Sequence, residues 1–170
     1  DLTWDKVKGA TGYDVYWSYC NGKNNFNKLA NVPKSQKYAD KNLNNKREYK
    51  YFTVAYKMSG GKKVYLGRTN IVHVAMPYAS KTNALTVTVN KTSVSLAKGK
   101  TFKITKKVKL ENSKKKALNH LTKNERFITS NAKVATVSSA GVIKAVRKGT
   151  CTVYVMADNG VCARIKVTVK

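Results

Sequence analysis

Eight carboxylates, two histidines and three cysteines are the groups this chain offers for acid–base, nucleophilic or metal chemistry. General acid–base catalysis commonly uses paired carboxylates or a histidine. Here Asp1, Asp5, Asp14, Asp40, Glu48, Glu111, Glu125 and Asp158 are scattered over predicted turns and strand ends. Asp158 reads as a turn residue, and Asp40 and Glu48 read as surface residues. His73 lies between Val72 and Val74 and faces away from both, whereas His120 lies in a basic run. A zinc site usually gathers four ligands in closely spaced pairs, and the sequence contains no C-x-x-C or H-x-x-x-H. Nothing in the spacing pairs Cys20, Cys151 or Cys162 with either histidine, so each cysteine reads as a small apolar residue. Calcium needs several carboxylate oxygens, and the acidic residues of the second half are too few and too dispersed. No phosphate loop, zinc-protease helix or nucleophile elbow is present. The expectation is a protein that is not an enzyme and uses no cofactor and no metal.

Charge says more. Thirty-four Lys and Arg face eight Asp and Glu, a formal net charge of +26. Residues 1–78 hold 14 basic and 5 acidic residues, and residues 79–170 hold 20 and 3. Such a field attracts polyanions and weakens with salt. Teichoic acids, acidic glycans, anionic membranes and nucleic acid all qualify as partners. The alternative is that lysine simply maintains solubility. Specific nucleic-acid readers insert a helix or ribbon into a groove, or stack bases on sheet aromatics. Neither pattern occurs, so no specific nucleic-acid partner is expected.

Two groups of residues are candidate contact surfaces. Lys106, Lys107 and Lys109, with Lys114, Lys115 and Lys116, bracket residues 111–126, and Lys123 and Arg126 stand behind them. If these converge they form a polyanion-binding patch. Otherwise they belong to a solvated, self-repelling loop. Strand alternation supplies the second group. Tyr13, Val15, Trp17 and Tyr19 share one face, so Tyr16 and Ser18 take the other. If Tyr49, Tyr51, Thr53 and Ala55 point inward, Phe52, Val54 and Tyr56 point outward. Where the two strands are neighbours, Tyr16, Phe52, Val54 and Tyr56 make an exposed patch for a glycan or protein. The alternative is cover by a neighbouring domain or by side chains of an adjacent strand.

The elements that must position these residues are all strands. Short runs rich in Val, Thr and Tyr alternate with Gly, Asn and Pro breaks, and no stretch has helical period. The first run comprises Leu2–Trp4, Tyr13–Cys20, Lys28–Val32, Tyr38–Asp40, Tyr49–Met58, Val64–Leu66 and Asn70–Ala75. Asn21–Asn25 and Ser59-Gly60-Gly61 separate its members. Residues 78–83, after Pro77, read as a linker. Strands resume at Leu85–Val89, Val94–Leu96, Phe102–Ile104 and Val108–Leu110. Residues 111–126 break this rhythm. The end of the chain is the most regular part: Val134–Ser138, Gly141-Val142-Ile143, Gly149-Thr150, a predicted two-residue hairpin turn at Asn159-Gly160, then Val167-Thr168-Val169. With that turn Ala157 faces Cys162, and Cys151 lies six residues further along. A disulfide between them is then out of reach. No apolar run approaches the roughly 20 residues of a membrane-spanning helix. Asp1 opens directly onto a strand-like segment, so the chain reads as a piece of a longer one.

The order of groups in residues 84–170 resembles a bacterial Ig-like domain of group 2. The Arg126-Phe127-Ile128-Thr129-Ser130-Asn131 stretch after a basic loop resembles a variant found in surface proteins of Firmicutes-type, Gram-positive bacteria. Residues 1–77 resemble a fibronectin type III domain, on Leu2-x-Trp4, Gly12-Tyr13-x-Val15-Tyr16, Leu43 six residues before Tyr49, then Tyr51, Thr53 and Ala55. That resemblance implies a core tryptophan at Trp4 and a tyrosine corner at Tyr49, whose hydroxyl bonds to nearby backbone. It also implies that a first strand belongs before Leu2. Together the resemblances imply an all-β chain of two tandem β-sandwiches, the first lacking its first strand. They imply a secreted or surface-anchored, extracellular bacterial protein. The expected role is non-catalytic presentation, in adhesion or wall association. The alternatives are a glycan- or polyanion-binding module, or an accessory domain of a cell-wall or polysaccharide enzyme. Expected partners are neighbouring domains of the same polypeptide, anionic wall polymers, and host glycans or proteins.

Overall fold

A computed structural model describes residues 1–20, 23–41 and 43–170, and the Asn21-Gly22 part of the predicted polar turn lies outside them. The fold is all-β, relieved among the described residues by one short 3₁₀ turn at Lys123–Glu125. No helix among those residues is long and apolar enough to cross a membrane. The chain divides into two compact units, Asp1–Ser80 and Lys81–Lys170.

The first unit contains β1 (Leu2–Thr3), β2 (Gly12–Tyr19), β3 (Asn27–Pro33), β4 (Lys37–Tyr38), β5 (Glu48–Ser59), β6 (Lys62–Arg68) and β7 (Val72–Ala75). β1 pairs with β4, while the main sheet runs β3-β2-β5-β6. The twelve-residue β5 shares one edge between two partners. Its start, Glu48–Tyr51, pairs with β7, and its end pairs with β6. Thr69 bridges the handover, because its hydroxyl accepts from Thr53 N–H at 3.0 Å and its own N–H donates to Thr53 O at 2.9 Å. Gly60 and Gly61 turn β5 into β6 at φ +54° and +74°. Both turn positions are left-handed, as a two-residue type I′ hairpin requires.

Alternation along β2 and β5 delivers Tyr13, Val15, Tyr49, Tyr51 and Ala55 to the core. Trp4 packs on Tyr13 with ring centroids 5.5 Å apart. The Tyr49 hydroxyl accepts from the backbone N–H of Asn44 at 2.8 Å, which ties the β4–β5 connection to the core. Tyr49→Phe is expected to lower the unit's unfolding free energy by about 1 kcal/mol. Both tryptophans, Trp4 and Trp17, lie in this unit. Their fluorescence in a urea titration therefore reads that loss directly.

The second unit contains β8 (Lys81–Thr82), β9 (Ala84–Val89), β10 (Ser93–Leu96), β11 (Thr101–Lys103), β12 (Lys106–Leu110), β13 (Lys116–Ala117), β14 (Phe127–Thr129), β15 (Ala135–Val137), β16 (Val142–Ala145), β17 (Gly149–Met156) and β18 (Cys162–Val169). One sheet runs β10-β18-β17-β14 and another β11-β16-β15, with β9·β12 and β8·β13 as separate pairs. Val153, Val155, Ile165, Val167 and Ile143 are fully buried between them. Period-two spacing of β-branched residues explains this, because one pleated face of β17 and of β18 is apolar throughout. Of residues 78–83, Tyr78 N–H bonds Asn45 O within the first unit, and Lys81–Thr82 form β8 of the second.

The β17–β18 turn differs from the sequence expectation. The last paired residues are Met156 and Cys162, so the loop is longer than Asn159-Gly160. Its residues are engaged elsewhere: Asp158 is turned inward and buried, and Asn159 Nδ2 donates to Ala84 O at 2.8 Å. Cys151 pairs with Val167, five residues along from Cys162, roughly 17 Å at strand spacing. None of the three cysteines is in a disulfide.

Candidate binding surfaces

The insertion, residues 111–126, is bonded to the rest of the unit at several points, while most of its described residues are exposed. At its start Glu111 N–H donates to Asn83 O at 3.1 Å, and Asn83 Nδ2 donates to the Glu111 carboxylate at 2.9 Å. Next, β13 pairs in parallel with β8, and Leu118 N–H bonds Thr82 O at 3.0 Å. Leu118 and Leu121 are buried, each contributing on the order of 1.5–3 kcal/mol of apolar burial. Glu125 caps the 3₁₀ turn by accepting from Thr122 N–H at 2.8 Å.

Asp158 holds the centre. Its Oδ1 accepts from His120 N–H at 2.6 Å and from Leu121 N–H at 2.7 Å. Its Oδ2 lies 3.3 Å from an Arg126 guanidinium nitrogen. The same nitrogen donates to Asn119 Oδ1 at 2.6 Å and to Leu121 O at 3.2 Å. Asp158 is 4% exposed, so this is a buried charge stabilised by an ion pair and hydrogen bonds together. A turn residue by sequence is thus the anchor of the insertion. Its composition and position carried no such signal, because the groups it binds lie about 35 residues upstream.

The lysines take different positions. Lys107 and Lys109 alternate with Lys106 and Val108 on β12, opposite Thr88 and Thr86 of β9, and are exposed. Lys106 Nζ stands 5.2 Å from the centre of the Phe127 ring. Partial burial and the nearby Arg126 charge hold its ammonium below the ordinary lysine value. Lys114, Lys116 and Lys123 are exposed, and Lys115 is half-buried. Lys116 pairs in register with Lys81, which adds a cation the sequence reading missed. Arg126 is the correction in this group. Its guanidinium faces inward to Asp158, so it supports the insertion rather than presenting its charge outward.

The aromatic face is also corrected. The β2–β5 register sets Tyr16 beside Phe52, Asp14 beside Val54 and Gly12 beside Tyr56. Tyr16 and Phe52 stack at 4.9 Å, Phe26 meets Phe52 edge-on at 4.7 Å, and Arg68 lies over Phe52 at 5.4 Å. Phe52 and Val54 are half-buried and Tyr56 is 5% exposed. Tyr56 is not part of an open patch because Gly12 has no side chain. A Cβ there would sit 2.6 Å from the ring carbon bearing the hydroxyl. The ring therefore lies over the glycine, and its hydroxyl bonds Asn31.

Asp14, expected in a turn or at a strand end, is mid-strand and fully buried on this face. Lys28 Nζ stands 2.9 Å and Lys63 Nζ 2.8 Å from its Oδ1, and Asn31 Nδ2 donates to the same oxygen at 2.8 Å. Burial pushes its carboxyl upward, but hydrogen bonds from Lys63, Lys28 and Asn31 outweigh this and hold it below the ordinary value. Asp40 accepts from the Tyr51 hydroxyl at 2.8 Å. Tyr51 is pushed far up by burial first and by Asp40 second.

Residues 84–169 match the bacterial Ig-like domain (group 2) family. The chain belongs to this family. No curated protein matches the chain. Solved structures with similarity include domains 4 and 5 of the S-layer protein SbsC, at 18% identity and TM-score 0.39, covering 69% of this chain and 64% of that one. A longer structure of the same S-layer protein, rSbsC, is 18% identical with TM-score 0.40, covering 97% of this chain and 21% of that one. SbsC domains 1–6 are 16% identical with TM-score 0.40, covering 96% and 21%. The chain thus spans about two thirds of the length of the first and about a fifth of the others. Within the Ig-like unit the matched strands form the sandwich, and Asp158 and the Glu111–Asn83 bond fasten the lysine-bearing insertion to it.

Proposed function

We propose that the chain is a non-catalytic presentation segment of an extracellular bacterial surface protein, and that its Ig-like unit contacts anionic wall or glycan polymers through the insertion. One observation carries the second half. Residues 79–170 contain three Asp and Glu against 20 cations, and all three serve the insertion: Asp158 accepts from its backbone, Glu111 ties its start to Asn83, and Glu125 closes its 3₁₀ turn. The acids fold the insertion, while Lys107, Lys109, Lys114, Lys116 and Lys123 stay exposed on or beside it. A polyanion finds there a fixed set of charges rather than a loop that must first be ordered.

The first unit is read as a fibronectin type III-like sandwich over residues 1–77, joined through 78–83 to the Ig-like domain at 84–170. The Tyr49–Asn44 hydrogen bond and the Trp4–Tyr13 packing support that reading.

Heparin serves as the test polyanion. Replacing Lys114, Lys115 and Lys116 together by Ala is expected to flatten the slope of log affinity against log salt by about 2. Replacing Lys91, Lys98 and Lys100, exposed on the loops either side of β10, removes the same net charge and is expected to change the slope by less than half as much. Equal losses from the two triple variants would show a response to net charge and end the reading of the insertion as a binding surface.

A further inference from the structure

Cys20 follows β2 directly, and its N–H donates to Glu48 O at 3.0 Å, continuing the β2–β5 register by one residue. On the other edge of β5, His73 of β7 pairs with Lys50. Pleating places Cys20, Glu48, Lys50 and His73 on one face. Over that face the Cys20 sulfur and His73 Nδ1 meet at 3.2 Å. The spacing of 53 residues hid this pair from the sequence reading, which found no cysteine beside a histidine. Cys20 is half-buried, unlike the buried Cys151. It borders an open cleft of about 270 Å³ lined by Tyr19, Lys46, Arg47, Glu48 and Ser80. Arg47 lies over the Tyr19 ring at 5.6 Å. A thiol against an imidazole, reachable from solvent and next to two cations, has the surroundings of a reactive cysteine.

We propose that Cys20 and His73 are a thiol–imidazole pair that undergoes exchange with small disulfides bearing carboxylates. In the tautomer protonated at Nε2, His73 Nδ1 takes the Cys20 proton. The sulfur attacks one sulfur of the disulfide, a new S–S bond forms as the old one breaks, and the electron pair leaves on the departing thiolate. That thiolate takes up a proton from the imidazolium or from water. The disulfide is the oxidant, and Cys20 ends as a mixed disulfide. Lys46 and Arg47 select for the carboxylate of the incoming group.

The test uses the whole chain with Cys151→Ala and Cys162→Ala, so that Cys20 alone reports. Rates with dithiobis(nitrobenzoate), which is anionic, and cystamine, which is cationic, are each divided by the rate of the urea-unfolded chain. The folded chain is expected to exceed the unfolded one about tenfold with the anionic reagent and to fall below it with cystamine. His73→Gln is expected to remove most of the excess. If the double variant does not fold, peptide mapping of the unsubstituted chain after one equivalent of reagent decides, with label expected on Cys20. Label on Cys162, a folded rate at or below the unfolded rate, or an unchanged rate in His73→Gln would each overturn the proposal.

Discussion

Asp158→Ala is expected to lower the melting temperature of the Ig-like unit by more than about 10 °C. The substitution leaves Arg126 without its carboxylate and the N–H groups of His120 and Leu121 without their acceptor, all around a site 4% exposed. Breaking a buried, hydrogen-bonded pair by removing one partner costs about 3–5 kcal/mol. For a unit of this size each kcal/mol moves the midpoint by about 4–8 °C. The double variant Asp158→Ala with Arg126→Met is expected to recover part of the loss, because no buried cation then remains. Calorimetry measures the midpoints, and hydrogen exchange at residues 120 and 121 reports whether the insertion has opened. Equal midpoints for the single and double variants would show that the pair does not hold this segment.

Asp14→Asn in the first unit is expected to cost about 2–3 kcal/mol at pH 7. Its carboxylate accepts from Lys63, Lys28 and Asn31 in a fully buried position. The estimate stays below that for Asp158 because the Lys28 side chain is 46% exposed and Lys63 28%, so both can be rehydrated. The folded carboxyl is held below its unfolded value. Asp14 therefore contributes stability that is complete above the unfolded value, about 4, and is lost as the pH falls through the folded value. Urea midpoints followed by Trp4 and Trp17 fluorescence should fall on acidification below about pH 4. In Asp14→Asn they should start lower and fall less steeply. Parallel curves for the two proteins would place the acid sensitivity elsewhere.

The parts legible in the sequence are those governed by local geometry. Gly60-Gly61 announces a hairpin because two left-handed positions in succession admit little else. Val153, Val155, Ile165, Val167 and Val169 are spaced by two, and the structure buries each of them. The opposite outcome at Tyr56 has an equally local cause, since the glycine facing it across the ladder makes a place for the ring. That cause becomes visible only when the register is known. The longer β17–β18 loop follows the same logic, because Asp158 and Asn159 serve groups outside the hairpin.

Period-two patterning, turn chemistry and composition were enough to determine an all-β chain, the inward Tyr49, Tyr51, Thr53 and Ala55 of β5 and an excess of cations without a catalytic motif. The tertiary structure alone decided that Asp14 and Asp158 are buried anchors, that Arg126 turns inward, and that Cys20 meets His73. Each of these depends on residues brought together across 14 to 53 positions of chain. Strand pairing sets such meetings through register, and a single sequence carries the pattern of each strand but not which strand lies beside it.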